Sequence, residues 1–141
     1  MRAKKPLLNN ITIGADPELF AFNKEVRQFV SVHKCFPGTK ENPYKVKDGA
    51  LQLDGVAAEL NITPAKTAKE FSNNIMSVKN QAEYYLPDNC SLTPTPLVGF
   101  HTGYWDYLPE NLKELGCNPD FNAYLEGMPN PVPEITNPIR V

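Results

Sequence analysis

Apolar and polar residues alternate along much of the first half of the chain, and this alternation predicts strands. Ile11-Thr12-Ile13 alternates and Gly14 ends the run, which predicts a first strand. Leu19 to Phe22 continues extended after Pro17. Proline brings no ladder donor, so Pro17 is expected at a bulge or an edge. Asn23-Lys24-Glu25 reads as a polar turn, and Val26 to Val32 as the second arm of a hairpin. Phe36 to Tyr44 holds the breaker pairs Pro37-Gly38 and Asn42-Pro43 and is expected as loop. Asp48-Gly49 and Asp54-Gly55 are tight-turn signals. Leu51 and Leu53 lie between them. From Val56 the period is two, with Val56, Ala58, Leu60 and Ile62 on one face and Ala57, Glu59, Asn61 and Thr63 on the other.

The pattern then changes period. Pro64 closes the strand, and Thr67 with Glu70 has the spacing of a capping box. Phe71, Ile75, Val78, Ala82 and Tyr85 follow at helical spacing, which predicts a helix from about Thr67 to Leu86 with its apolar stripe against the sheet. Pro87 ends it. Leu92 to Phe100 is expected as a further extended run, interrupted by Pro94 and Pro96. Glu110 to Leu115 is expected as a short helix with Gly116 as its C-cap, and Asn118 to Val141 as loop.

Composition adds a division. Proline occurs 14 times, roughly twice its average usage, and most of the prolines follow Leu86. A regular first half is therefore expected to give way to a loop-rich second half. The 141 residues fit one domain or one lobe of a larger one. A formal net charge of -2 gives no basic surplus for nucleic acid and no acidic block for a disordered tail. The basic start, Met1 to Lys5, lacks a following apolar core, and no run reaches membrane-spanning length. Cys35, Cys90 and Cys117 are widely spaced and odd in number, which predicts neither a metal motif nor a disulfide framework. The expected setting is the cytoplasm, with no membrane and no nucleic-acid partner.

Three segments could carry chemistry. In Gly14-Ala15-Asp16-Pro17-Glu18, an extended backbone turns Asp16 and Glu18 to one side. A divalent cation relieves the repulsion of two such carboxylates, and hard oxygen ligands suit it; Asp-Pro is equally a common turn starter. In Asp54-Gly55-Val56-Ala57-Ala58-Glu59-Leu60-Asn61, Glu59 falls in mid-strand. A buried charge there requires a partner or an ion, whereas a half-exposed antiparallel sheet would show it to water. In Pro37-Gly38-Thr39-Lys40-Glu41-Asn42-Pro43, backbone N–H groups and the Lys40 ammonium could cradle a phosphate. The same segment reads as a surface turn with an exposed lysine. His33 and His101 lack paired ligands at regular spacing, and Tyr104, Trp105 and Tyr107 read as packing surface.

Taken in order, Gly14-Ala15-Asp16-Pro17-Glu18-Leu19-Phe20, Gly38-Thr39-Lys40-Glu41-Asn42-Pro43, Asp54 to Ala65 and Leu115 to Tyr124 resemble the phage-type carboxylate–amine ligases. These belong with glutamine synthetase and glutamate–cysteine ligase. The resemblance implies an α+β fold, a curved antiparallel sheet with helices on its outer face, of which residues 1–141 would be the N-terminal part. Residues 1–65 would form the sheet with the acidic motifs, 66–87 the helix and 88–141 the loop-rich segment. It implies Mg2+ held by Asp16, Glu18 and Glu59, and ATP met by Lys40, Thr39 and Asn61. The implied reaction joins a carboxylate to an amine, on small molecules or peptides, through an acyl phosphate. Members of the family continue past a segment like Ile139-Arg140-Val141 into a Gly-Gly-His-Ile-His-type strand. The expectation is therefore an N-terminal fragment whose missing half comes from a second chain, or which self-associates.

Two rivals compete with the ligase. One is a catalytically inactive phage accessory or binding protein that keeps the lobe. The other is a metal-dependent nuclease using Asp54 and Glu59, against which stands Asn61 at the place where such nucleases carry a lysine.

Overall fold

The computed structural model describes residues 11–113, 121, 122, 124 and 126–129. Strands β1 (Glu18–Asn23), β2 (Gln28–Val30), β3 (Tyr44–Val46), β4 (Gly49–Asp54), β5 (Ala57–Ile62) and β6 (Cys90–Thr93) build one six-stranded sheet. The path runs β2-β1-β5-β4-β3, and β6 pairs with β1. Every pairing in it is antiparallel. With helix α1 (Ala68–Glu83) packed on β5 and β4, the fold is α+β.

Extended pairing reaches beyond β1. Leu60 N–H donates to the Pro17 carbonyl and Ile62 N–H to that of Ala15, while Ile13 and Ala65 exchange backbone bonds at 2.8 Å each way. Glu18 faces Glu59 but Ile13 faces Ala65, so the register slips by one residue along the way. Pro17 uses its carbonyl and owes the ladder no donor.

Both hairpin signals hold, with adjusted positions. Lys47-Asp48 turns β3 into β4, and it is Asp48, not Gly49, that takes positive φ. Gly49 answers a different demand: a Cβ there would lie 2.2 Å from the Asn61 carbonyl oxygen and 2.8 Å from Val78 Cγ2. Gly55-Val56 turns β4 into β5, which moves Val56 off the apolar strand face and into the turn. The expected loop from Phe36 gives way one residue early, because Tyr44 begins β3. The second arm of the first hairpin is Gln28–Val30, shorter than Val26 to Val32, since residues 24–27 form the turn and Arg27 has positive φ.

Leu51, Ala58, Leu60 and Ile62 join Val78 and Ala82 of α1 in the core, and Leu19, Ala21, Val32, Phe36, Leu86 and Leu92 extend it. The helix stripe is narrower than its spacing predicts. Phe71 and Ile75 are only partly buried, while Asn74 is buried and donates through Nδ2 to the Thr63 carbonyl at 3.0 Å. Thr67 caps α1 by accepting the Glu70 N–H at 3.1 Å. Glu70 reaches back to the Lys66 N–H, one residue earlier than a capping box requires. Gln81 clamps the β3–β4 turn, accepting the Lys47 N–H at 3.0 Å and donating to the Lys47 carbonyl at 2.8 Å.

The segment expected to be loop-rich supplies β6, which begins at Cys90 rather than Leu92. It also contains a short helix, α2 (Thr102–Asp106), that the aromatic residues concealed. Phe100 stacks on Tyr104, whose hydroxyl accepts the Ser31 N–H at 2.8 Å. Glu110–Leu112 is a single 3-10 turn, and Phe121–Asn122 pairs with Met128–Pro129. Gly116, Cys117, Leu115 to Asp120 and the stretch from Asn130 to Val141 lie outside the described residues. Among those described, no helix is long and apolar enough to cross a membrane.

Candidate functional site

The sheet has two chemically different faces. Strand parity turns Leu51, Leu53, Ala58, Leu60 and Ile62 to the helix side. On the other face the same parity puts Gln52 and Asp54 of β4, and Glu59 and Asn61 of β5. Glu18 of β1 joins them, directly across from Glu59. The bonds from Ile62 to Ala15 and from Leu60 to Pro17 set Asp16 across from Asn61. Asp16, Glu18, Glu59 and Asn61 therefore share the face turned away from α1.

This face carries a directed amide relay. Asn61 Nδ2 donates to Gln52 Oε1 at 2.9 Å, and Gln52 Nε2 donates to Glu59 Oε2 at 2.8 Å. Gln52 and Glu59 are both buried, so these bonds form where water screens little. Glu59 is thus neither a water-facing acid nor an isolated buried charge.

Glu18 is more open, and its carboxyl is raised above the usual 4.5. Burial contributes most, followed by the negative charges of Asp54 and Glu59, against a lowering by Lys40. Lys40 Nζ lies 3.1 Å from Asp54 Oδ2. Glu18 therefore senses Asp54, Glu59 and Lys40, so three carboxylates and one ammonium share this region of the sheet.

The loop of residues 37–43 brings Lys40 there. The Gly38 carbonyl accepts the Leu53 N–H, so the loop runs along β4 beyond the reach of β3. Gly38 has φ 82, and a Cβ on it would meet the Leu51 carbonyl oxygen at 2.2 Å and the Tyr44 nitrogen at 2.6 Å. Thr39 is used inside the loop. Its N–H donates to the Asn42 carbonyl, and its hydroxyl accepts the Asn42 N–H at 3.2 Å. The Thr39 N–H thus closes a turn within the loop, and Lys40 is the side chain that the loop brings to Asp54.

Sequence reasoning missed Gln52, and read Asp54 as a turn signal and as a ligand only for the rival nuclease. The signal was present in Ala50-Leu51-Gln52-Leu53-Asp54, where the parity argument used for β5 puts Gln52 and Asp54 opposite the leucines. His33 Nδ1 is hydrogen-bonded to the Ser31 hydroxyl at 3.0 Å, and His101 caps α2 without a side-chain bond. Cys35 and Cys90 are free thiols, each pushed up by burial.

Among the described residues, no group of three or more His, Cys, Asp or Glu side chains is placed to hold a metal ion. Mg2+ is typically bound through one or two carboxylates plus substrate phosphates rather than in an all-protein cage, and Glu18 and Glu59 place two carboxylates across from each other on one face. No family model, curated protein or solved structure matches this chain.

Proposed function

We propose that this chain provides the Mg2+- and ATP-binding part of a carboxylate–amine ligase, on a sheet of the glutamine synthetase type. The observation that carries the reading is the placement of Glu18 directly across from Glu59 on the sheet face that α1 leaves open. That pair supplies carboxylate oxygens, and Asp16, two residues before Glu18, lies on the same face.

Glu18 and Glu59, with Asp16 beside them, would hold Mg2+, which would supply positive charge against the charge that develops on phosphate during transfer to a substrate carboxylate. Glu59 offers one carboxylate on this face. Glu18 offers a second that gives up its proton less readily than an ordinary carboxyl. Lys40, beside Asp54, offers the positive charge for a phosphate or a substrate carboxylate. The substrates are an acid and an amine, small molecules or peptides.

The test is titration of the purified chain with Mn2+ and with Mg2+–ATP by calorimetry, followed by ADP release over panels of acids and amines. Metal-dependent ATP binding that disappears in Glu59→Gln is the expected result. Failure to bind both Mn2+ and ATP would overturn the reading. Tight binding of neither is the result that the rival inactive protein predicts, whereas a chain that supplies only part of the site binds without completing turnover.

A further inference from the structure

Gln52 plays no part in the reading above, yet it is the most enclosed polar side chain of the face. It is 5% exposed, against 9% for Glu59. Both ends of its amide are used, one by Glu59 and the other by Asn61. An amide placed between two polar groups is often ambiguous, because its oxygen and nitrogen can exchange places. Here the ambiguity is removed. An ionised Glu59 can only accept, so Gln52 must turn its NH2 towards it. The Gln52 oxygen then faces Asn61, which must answer with its own NH2. The direction of both amides follows from one anion, and the Asn61 Oδ1 is left outside the relay.

We propose that Gln52 is the positioning residue of the site: it holds the Glu59 carboxylate in one orientation, leaves Oε1 as the oxygen available to a cation, and is itself aligned by Asn61. The inference rests on the reading of Glu59 as a metal ligand. Its physical basis is general. A ligating carboxylate is oriented by the groups hydrogen-bonded to its other oxygen, and loss of such a group typically weakens metal binding about 10–100-fold. Burial of Gln52 strengthens the effect, since no water takes the vacated place without a cavity to hold it. The sheet supplies the geometry: Gln52 and Glu59 are directly paired across β4 and β5, with Asn61 two residues further along the same face.

The experiment measures Mn2+ affinity of the full chain for wild type, Gln52→Met, Asn61→Ala and the double variant, with thermal melts to establish folding. In parallel, NMR follows exchange of the Gln52 side-chain amide protons in wild type and Asn61→Ala. The expected result is roughly a 10–100-fold loss of affinity in Gln52→Met, a smaller loss in Asn61→Ala, and no further loss in the double variant. The Gln52 amide protons exchange slowly in wild type and faster in Asn61→Ala. Should Gln52→Met fail to fold, the Asn61→Ala arm decides by the same two readouts. A folded Gln52→Met with unchanged Mn2+ affinity overturns this assignment and leaves the proposed function standing. A wild type that binds no Mn2+ overturns both.

Discussion

Glu18 and Glu59 stand directly opposite each other on antiparallel β1 and β5. Like charges at such positions repel, and nothing in the sheet itself requires them. The Glu18 carboxyl is raised above 4.5 by burial and by Asp54 and Glu59, so the folded chain holds this proton more tightly than the unfolded chain does. The associated stability is fully present below the ordinary carboxylate range and is lost as pH rises through the raised folded value. Glu18→Gln should therefore be more stable than wild type at neutral pH without divalent ions. The difference should disappear near pH 4. Because Glu18 is largely open to solvent, the gain should stay below about 1 kcal/mol. Urea melts of both proteins at the two pH values check this, and a wild type at least as stable at neutral pH would contradict it.

Helix α1 contacts the sheet mainly through its second half. Val78 is fully buried while Ile75 is only partly so. Val78→Ala removes two buried methyl groups and should cost about 2 kcal/mol. Ile75→Ala removes more atoms but should cost less. Denaturant midpoints of the two variants, compared at equal slope, test the order, and a larger loss at Ile75 would reverse the packing described for α1.

Much of this was legible in the sequence, and the failures have physical causes. Period two in Ala57 to Ile62 gave the correct face for Glu59 and Asn61, because one face of β5 packs on a helix and the other does not. The same rule covers Gln52, but the leucines on either side of it make Ala50 to Asp54 read as core. A Gly-Thr-Lys sequence does not reveal which N–H groups the loop consumes itself, as it does that of Thr39. Asn74 was missed because a buried asparagine on an apolar stripe is explained only by its distant acceptor, the Thr63 carbonyl. Helix α2 was missed because its five residues offer too short a window for periodicity.

Gly14 and Gly49 each stand within two residues of an aspartate in sequence, but the structure separates them. A Cβ at Gly49 would lie 2.2 Å from a β5 carbonyl oxygen, whereas at Gly14 the nearest atom is Pro64 Cγ at 3.5 Å. Gly49→Ala forces the backbone of two strands apart and should cost about 3 kcal/mol. Gly14→Ala should change stability by no more than about 0.5 kcal/mol. Thermal unfolding of both variants tests the contrast, and equal effects would contradict it.

Gln81 holds the β3–β4 turn by both ends of its amide, an arrangement that joins α1 to a backbone 34 positions away in sequence. Both bonds are at the surface, where each contributes about 0.5–1.5 kcal/mol net. Gln81→Met keeps the length of the side chain and removes both, so a loss of about 1–2 kcal/mol is expected. Hydrogen exchange should show the loss at the Lys47 amide in particular. Unchanged protection there would mean the clamp does not persist in solution.

Lys40 affects the site through charge rather than through the fold. Its bridge to Asp54 is partly exposed, with the ammonium side chain 43% accessible. Lys40→Met should therefore lower stability by less than about 1 kcal/mol. Its electrostatic consequence is larger in kind. Lys40 lowers the Glu18 carboxyl while Asp54 raises it. Removing the ammonium takes away the lowering influence and leaves the Asp54 charge uncompensated, so both changes move Glu18 upward. A proton and a divalent ion compete for the same oxygens. If the proposed function holds, the pH at which Mn2+ binding reaches half its plateau should move upward in Lys40→Met. Well above that pH the affinity for the bare ion should be unchanged or tighter, because the face has lost a positive charge. ATP binding should weaken under the same conditions, because the charge lost is the one that would meet a phosphate. Mn2+ and ATP titrations across pH separate these effects by sign. Parallel weakening of both ligands at every pH would show that Lys40 acts by holding the loop, not by its charge.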